Sequence, residues 1–144
     1  MKWIFPFISF IGGAAIAIQA QINGGLGKKT GALEAAFISF SIGALALFFF
    51  ILFFGKGQLG ALFSVPKWQL IGGLLGALYV SIMVLVVPKI GVAPTMAAVI
   101  GGQLIIGVLI DHFGLFGGKT IPIDTKKIIG IILLFTSVFL FQKR

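Results

Sequence analysis

Three carboxylates, one histidine and a few amides are the side chains in this 144-residue chain with chemistry beyond packing: Glu34, Asp111, Asp124, His112, and Gln19, Gln21, Asn23 and Gln103. Gln103, Gly107 and Asp111 recur at four-residue steps, so on a helix they share one face, running from an amide past a glycine gap to a carboxylate. Asp111 falls at the end of its apolar stretch, where a helix dipole disfavours an anion. An acid there is expected to hold a proton or cation, or to pair with a loop lysine. Glu34 stands at the start of another apolar stretch, where a first-turn acid suits the dipole. It also shares a face with Ser41. If it lies within the membrane, burial disfavours its charged form, which is the property that proton-coupled exchange uses. Gln19 and Asn23 lie four apart on the face of Gly12 and Ile16, and Gln21 points elsewhere. The amides are expected either to bond across helices or to line a polar cavity. Tyr79 is deep in an apolar run, where its hydroxyl needs a partner and its ring could pack or stack on a cationic solute. His112 suits a helix end and Asp124 a solvated loop. No nucleophile–base pair, phosphate loop or metal-ligand cluster is present, and there is no Cys. The pattern is not that of an enzyme, and it implies no cofactor or metal.

The elements that must position these groups are membrane helices. The chain is 59% hydrophobic and 10% charged, with a mean hydropathy of +1.19, too apolar for a soluble domain of this size. Its 16 Phe residues include Phe48-Phe49-Phe50 and Phe53-Phe54, runs that would aggregate in water. A net charge of +8 suggests nucleic acid, but the basic residues sit at segment ends with no basic helix face. They read instead as anchors to anionic headgroups. Spanning a bilayer core of roughly 30 Å takes about 20 helical residues. Five stretches qualify: residues 3–22, 32–54, 68–87, 92–111 and 127–141, the last being the shortest. Trp3 and Trp68 fall at ends, as interfacial aromatics do. Met1-Lys2 and the following run resemble a signal peptide. The run continues to about Ala20 without a small-x-small cleavage site, so it reads as a retained first span. The expected fold is an all-α integral membrane protein, one five-helix transmembrane domain over residues 1–144.

Turn residues divide the stretches. Asn23-Gly24-Gly25 is expected to open the first connection, Gly55-Lys56-Gly57 the second and Pro88-Lys89-Ile90-Gly91 to form the third; the fourth, 112–126, is the longest. With every stretch spanning, Lys2, Lys56, Lys67, Lys119, Lys126 and Lys127 lie on one side, and Lys28, Lys29, Lys89, Lys143 and Arg144 on the other. Lys/Arg bias in short loops sets orientation, and six against five sets almost none. Such a chain is expected to insert both ways and pair head to tail. Small residues recur at helix-contact spacing: Ala35, Ser39 and Gly43; Gly72 and Gly76; Gly73, Ala77 and Ser81. Gly107 adds a further small position. Rows of this kind let backbones approach closely in lipid.

The stretch Trp68–Ala77, the Gly101-Gly102-Gln103 to Asp111-His112-Phe113-Gly114 run, Gln21-Ile22-Asn23 with Leu26-Gly27, and Ser39-Phe40 to Gly43 together resemble the YdcZ-like family of the drug/metabolite transporter superfamily, over nearly the whole chain. The resemblance implies a transporter of the bacterial inner membrane that exports small solutes. It also implies antiparallel homodimers, with ten helices in all, among some members. Asn23, Ser39, Gln103 and Asp111 fall within its motifs, whereas Glu34 does not. Small multidrug resistance proteins are a poorer likeness, because their first helix carries an acid and this one has none. The function expected is proton-coupled export of a cationic or amphipathic small molecule. Gln103, Asp111, Glu34, Gln19, Asn23, Ser39 and Tyr79 would line the pathway. Gly72, Gly73, Gly76, Ala77 and Gly107 would serve helix packing. The partners expected are lipid, the solute and a second inverted copy, with no nucleic acid. A passive pore and an accessory subunit of a larger transporter are the rival readings.

Overall fold

A computed structural model describes residues 3–142. Lys2, Lys143 and Arg144, which entered the charge comparison, lie outside the described residues. The described residues fold into five α-helices: α1 (Ile4–Thr30), α2 (Ala32–Phe54), α3 (Ile71–Ile90), α4 (Val92–Phe113) and α5 (Thr125–Gln142). Short 3-10 turns, Leu59–Phe63 and Lys67–Leu70, lie between α2 and α3, and another, Leu115–Gly117, follows α4. Among the described residues, α1, α2, α4 and the segment Lys67–Ile90 that contains α3 are long and apolar enough to cross a membrane. By backbone contacts the chain divides into two compact units, Met1–Lys89 and Ile90–Arg144.

In the first unit, α1 overrules the expected first connection. Asn23-Gly24-Gly25 does not open a turn. The helix runs on to Thr30, and its 27 residues give a length of about 40 Å. The reason is packing. Gly24 lies against the ring of Pro88, and Gly27 lies so close to Val84 on α3 that a methyl group there would collide. Glycine in a helix interior ordinarily costs about 1 kcal/mol relative to alanine, and here it permits the close approach. The buried row Ala20, Asn23 and Gly24 continues the same face. Together these residues form the small-residue spacing expected of a membrane helix contact, on α1 as well as on α2 and α3.

The reversal from α1 to α2 takes one residue. Gly31 adopts φ 102° and ψ 153°, a region that side chains essentially exclude, while its N–H still bonds the Gly27 carbonyl at 3.0 Å. Gly91, between α3 and α4, has nearly the same conformation, with φ 88° and ψ 167°. The core of the first unit gathers Ala35 and Ala36 of α2 with Val80 and Val84 of α3, flanked by Leu26, Ala32 and Tyr79. Helix α3 runs three residues past its expected end, through Pro88 to Ile90.

In the second unit α4 packs on α5, with Gly101 buried and 3.9 Å separating the position of a Cβ there from a Val138 methyl. Helix α4 stops at Gly114 in the left-handed conformation, φ 59°, where a Cβ would press on Thr120 Oγ1. The fourth connection is then pinned back onto its neighbours. The Ile121 N–H donates to the Asp111 carbonyl at 2.7 Å, and the Lys127 ammonium donates to the Pro122 carbonyl at 3.0 Å. Asp124, expected to be merely solvated, is exposed and also caps α5: its Oδ1 accepts the Lys127 N–H at 2.8 Å. An Asp three residues ahead of a free helix-start N–H is the usual N-cap arrangement. Asp124→Ala is expected to lower stability by about 1 kcal/mol, read from unfolding in detergent, and Asp124→Ser to restore most of it.

Candidate functional site

The site starts from one buried polar side chain. Asn23 is 6% exposed and sits inside α1, where an unpaired amide would be costly. Its Nδ2 donates to Ser39 Oγ on α2 at 3.0 Å, which ties the two helices together just past the small residues that let them approach. One turn earlier on α1, Gln19 is exposed. Gln19 and Ser39 line a groove of about 240 Å³ whose remaining walls are Phe40, Gly43, Ala44 and Leu47. The structure therefore brings together three of the residues singled out in the sequence: Gln19, Asn23 and Ser39. The row Ala35, Ser39 and Gly43 has a divided role. Ala35 is fully buried, whereas Ser39 and Gly43 face the groove.

Glu34 lies apart from that groove. It occupies the first turn of α2, is exposed, and borders a shallow depression with Leu33, Phe37 and Ile38. Its carboxylate curls back over Gly31, filling the space that a side chain there would need. The acid thus stands at the positive end of the α2 dipole, in its first turn. Tyr79 packs against the first unit's core, and its hydroxyl is buried with no hydrogen-bond partner among the described residues.

The small residues of α3 behave differently from one another. Beside Gly76 stands the Phe40 ring, 3.3 Å from where a Cβ would lie, while the space next to Gly72 and Gly73 is open. Ala77 is half-buried, and Ser81 bonds back to the Ala77 carbonyl at 2.9 Å. On α4, Gln103 and Asp111 are exposed, two turns and about 12 Å apart along the axis, and the space beside Gly107 is open. The Asp111 carbonyl is engaged by Ile121. His112 Nδ1 accepts the Ile123 N–H at 3.3 Å, and its ring meets Phe113 edge-on at 4.9 Å.

Thus α1 and α2 join through a polar bond above a groove, amid helices whose outer surfaces are almost wholly apolar. The comparison with known proteins supplies the family. Residues 4–140 match the family described as "putative inner membrane exporter, YdcZ". The chain belongs to this family. It is also similar to the inner membrane protein YdcZ of Escherichia coli (strain K12), 29% identical over 137 residues, which cover 92% of this chain and 90% of the relative. No solved structure matches it. As a member of the YdcZ family, the chain is a multi-pass membrane transporter of the inner membrane.

Gly24 and Gly27 are the residues that the sequence reading missed as packing positions. Their signal was present: Ala20 to Gly24 and Asn23 to Gly27 are small or short residues at four-residue spacing, the same pattern that marked α2 and α3.

Proposed function

We propose that this YdcZ-family chain exports a small amphipathic solute in exchange for protons, working as an inverted homodimer in which α5 also spans. The observation that carries this reading is the α1–α2 groove, where Gln19 and the Asn23–Ser39 pair place polar groups on helices that are otherwise lipid-like. Inverted repeats around a shared site recur among secondary transporters. Here the inversion would come from pairing two copies. Glu34 begins α2 and Asp111 ends α4. With every stretch spanning in turn along the sequence, the two acids of one copy would lie on opposite membrane faces. An inverted partner then puts its own Asp111 on the face that carries the first copy's Glu34, so each side has both carboxylates. Gln103, one turn from Gly107 and two from Asp111, continues the polar track towards the midplane. Tyr79 would offer its hydroxyl to the moving solute, and the open faces at Gly72, Gly73 and Gly107 would serve contact between copies.

The test is solute-driven proton movement in proteoliposomes. Glu34→Gln and Asp111→Asn are each expected to reduce coupled flux at least tenfold while the purified protein stays folded and dimeric. Full coupled transport in both variants would remove the acids from the mechanism.

A further inference from the structure

We infer that the groove between α1 and α2 takes a neutral amphipathic solute that presents a hydrogen-bond acceptor. The inference deepens the exporter reading and rests on it. It starts from the hydrogen-bond bookkeeping of one hydroxyl. A serine or threonine inside a helix commonly donates back to the carbonyl four residues earlier. Ser9, Ser81, Thr95 and Thr136 all do so. Ser39 makes no such bond among the described residues. Its oxygen is engaged as an acceptor by Asn23, so its own proton remains for whatever occupies the groove it lines. A hydroxyl that is already accepting is polarised into a better donor.

The rest of the lining selects further. Gln19 adds an amide that can donate or accept, and Phe40, Gly43, Ala44 and Leu47 supply an apolar wall. Among the described residues no charged side chain lines the groove; the nearest acid in sequence, Glu34, lines a different depression. An ionic solute would leave its charge uncompensated there, whereas a ketone, amide or ester would meet a donor at one end and hydrocarbon at the other. A volume of about 240 Å³ lies just below the usual range for drug-sized ligands, so the solute is small.

Three photoreactive probes sharing one diaryl ketone test this: neutral benzophenone, anionic 4-benzoylbenzoate and cationic 4-benzoylbenzyl-trimethylammonium. Each is irradiated with the full chain in proteoliposomes, and the adducts are mapped by mass spectrometry. Benzophenone is expected to label residues 39–47 saturably, in preference to the other helices. Gln19→Leu, which touches no other bond, and Ser39→Ala should each weaken half-saturation about fivefold, as loss of one hydrogen bond does, and Ser39→Thr should retain labelling. Even labelling of all helices, or equal or stronger groove labelling by either charged probe, overturns the inference. A lipid ester carries the same acceptor, so stronger groove labelling in ether-lipid than in ester-lipid vesicles would assign the groove to lipid and equally overturn it. Flux of radiolabelled acetophenone, measured in parallel, separates the two levels. Saturable groove labelling without carrier-mediated flux upholds the site and refutes the exporter reading. Flux undiminished by Gln19→Leu and Ser39→Ala, without groove labelling, does the reverse.

Discussion

Gly27→Ala will destabilise the chain by about 1–3 kcal/mol, the usual cost of forcing an extra carbon into a filled contact, although alanine is the better helix former. The added methyl would collide with a Val84 methyl and reach 3.7 Å from both Ala32 Cα and Ala35 Cβ. Val84 is 3% exposed, and a β-branched side chain has little rotamer freedom with which to move aside. Either the α1–α3 contact opens or the α1–α2 reversal strains. Gly25→Ala supplies the control two residues away. Nothing lies within 4 Å of a Cβ there, so this variant is expected to be neutral, or to gain up to about 1 kcal/mol from helix propensity. Reversible unfolding in mixed micelles measures both. Equal effects at the two glycines would mean that the close approach of α1 and α3 contributes nothing.

The second large effect concerns Asn23 and Ser39. Ser39→Ala removes the acceptor and leaves a buried amide unpaired, at a cost of about 1–2 kcal/mol. Hydrogen bonds between membrane helices are worth about 0.6 kcal/mol on average and up to about 1.7. This one stands at the upper end because Asn23 is buried and has no other partner for its Nδ2 among the described residues. In a double-mutant cycle with Asn23→Ala, the coupling energy is expected to be about 1 kcal/mol. Purely additive losses would show that the bond ties nothing. Solute flux should fall with the Ser39 variant by more than the small loss of folded protein explains, because the same hydroxyl faces the groove.

Which parts of this could be read from residues follows from where the information lies. Helix α2 begins and ends where its apolar run does, at Ala32 and Phe54, because its boundaries are marked by glycines on both sides. The end of α1 could not be read that way. Asn23, Gly24 and Gly25 carry turn chemistry locally, and only the tertiary contacts of Gly24 and Gly27 with α3 convert them into helix interior. The Asn23–Ser39 bond was half legible: both residues stood out, but their partnership joins two elements whose register depends on the one-residue turn at Gly31. Asp124 is exposed, as its place in the loop predicts, and its further role is local, a cap three residues ahead of the Lys127 N–H. Gln103 and Asp111 fall on one helix as their spacing predicts, and their use rests with the proposed partner copy.

The central claim is that two copies of this chain work in opposite orientations, and it is tested most directly by reporter fusions to the C-terminus. One reporter is active only in the cytoplasm and the other only outside it. The six-to-five distribution of basic residues predicts comparable activity from both, and two lysines added beside Gly31 should tilt the ratio toward one. The prediction takes α5 as a span, as that count does; with α5 not crossing, Lys143 and Arg144 would change sides, giving eight against three, and one orientation would prevail. Activity from one reporter alone, unchanged by the added lysines, would contradict the inverted pair.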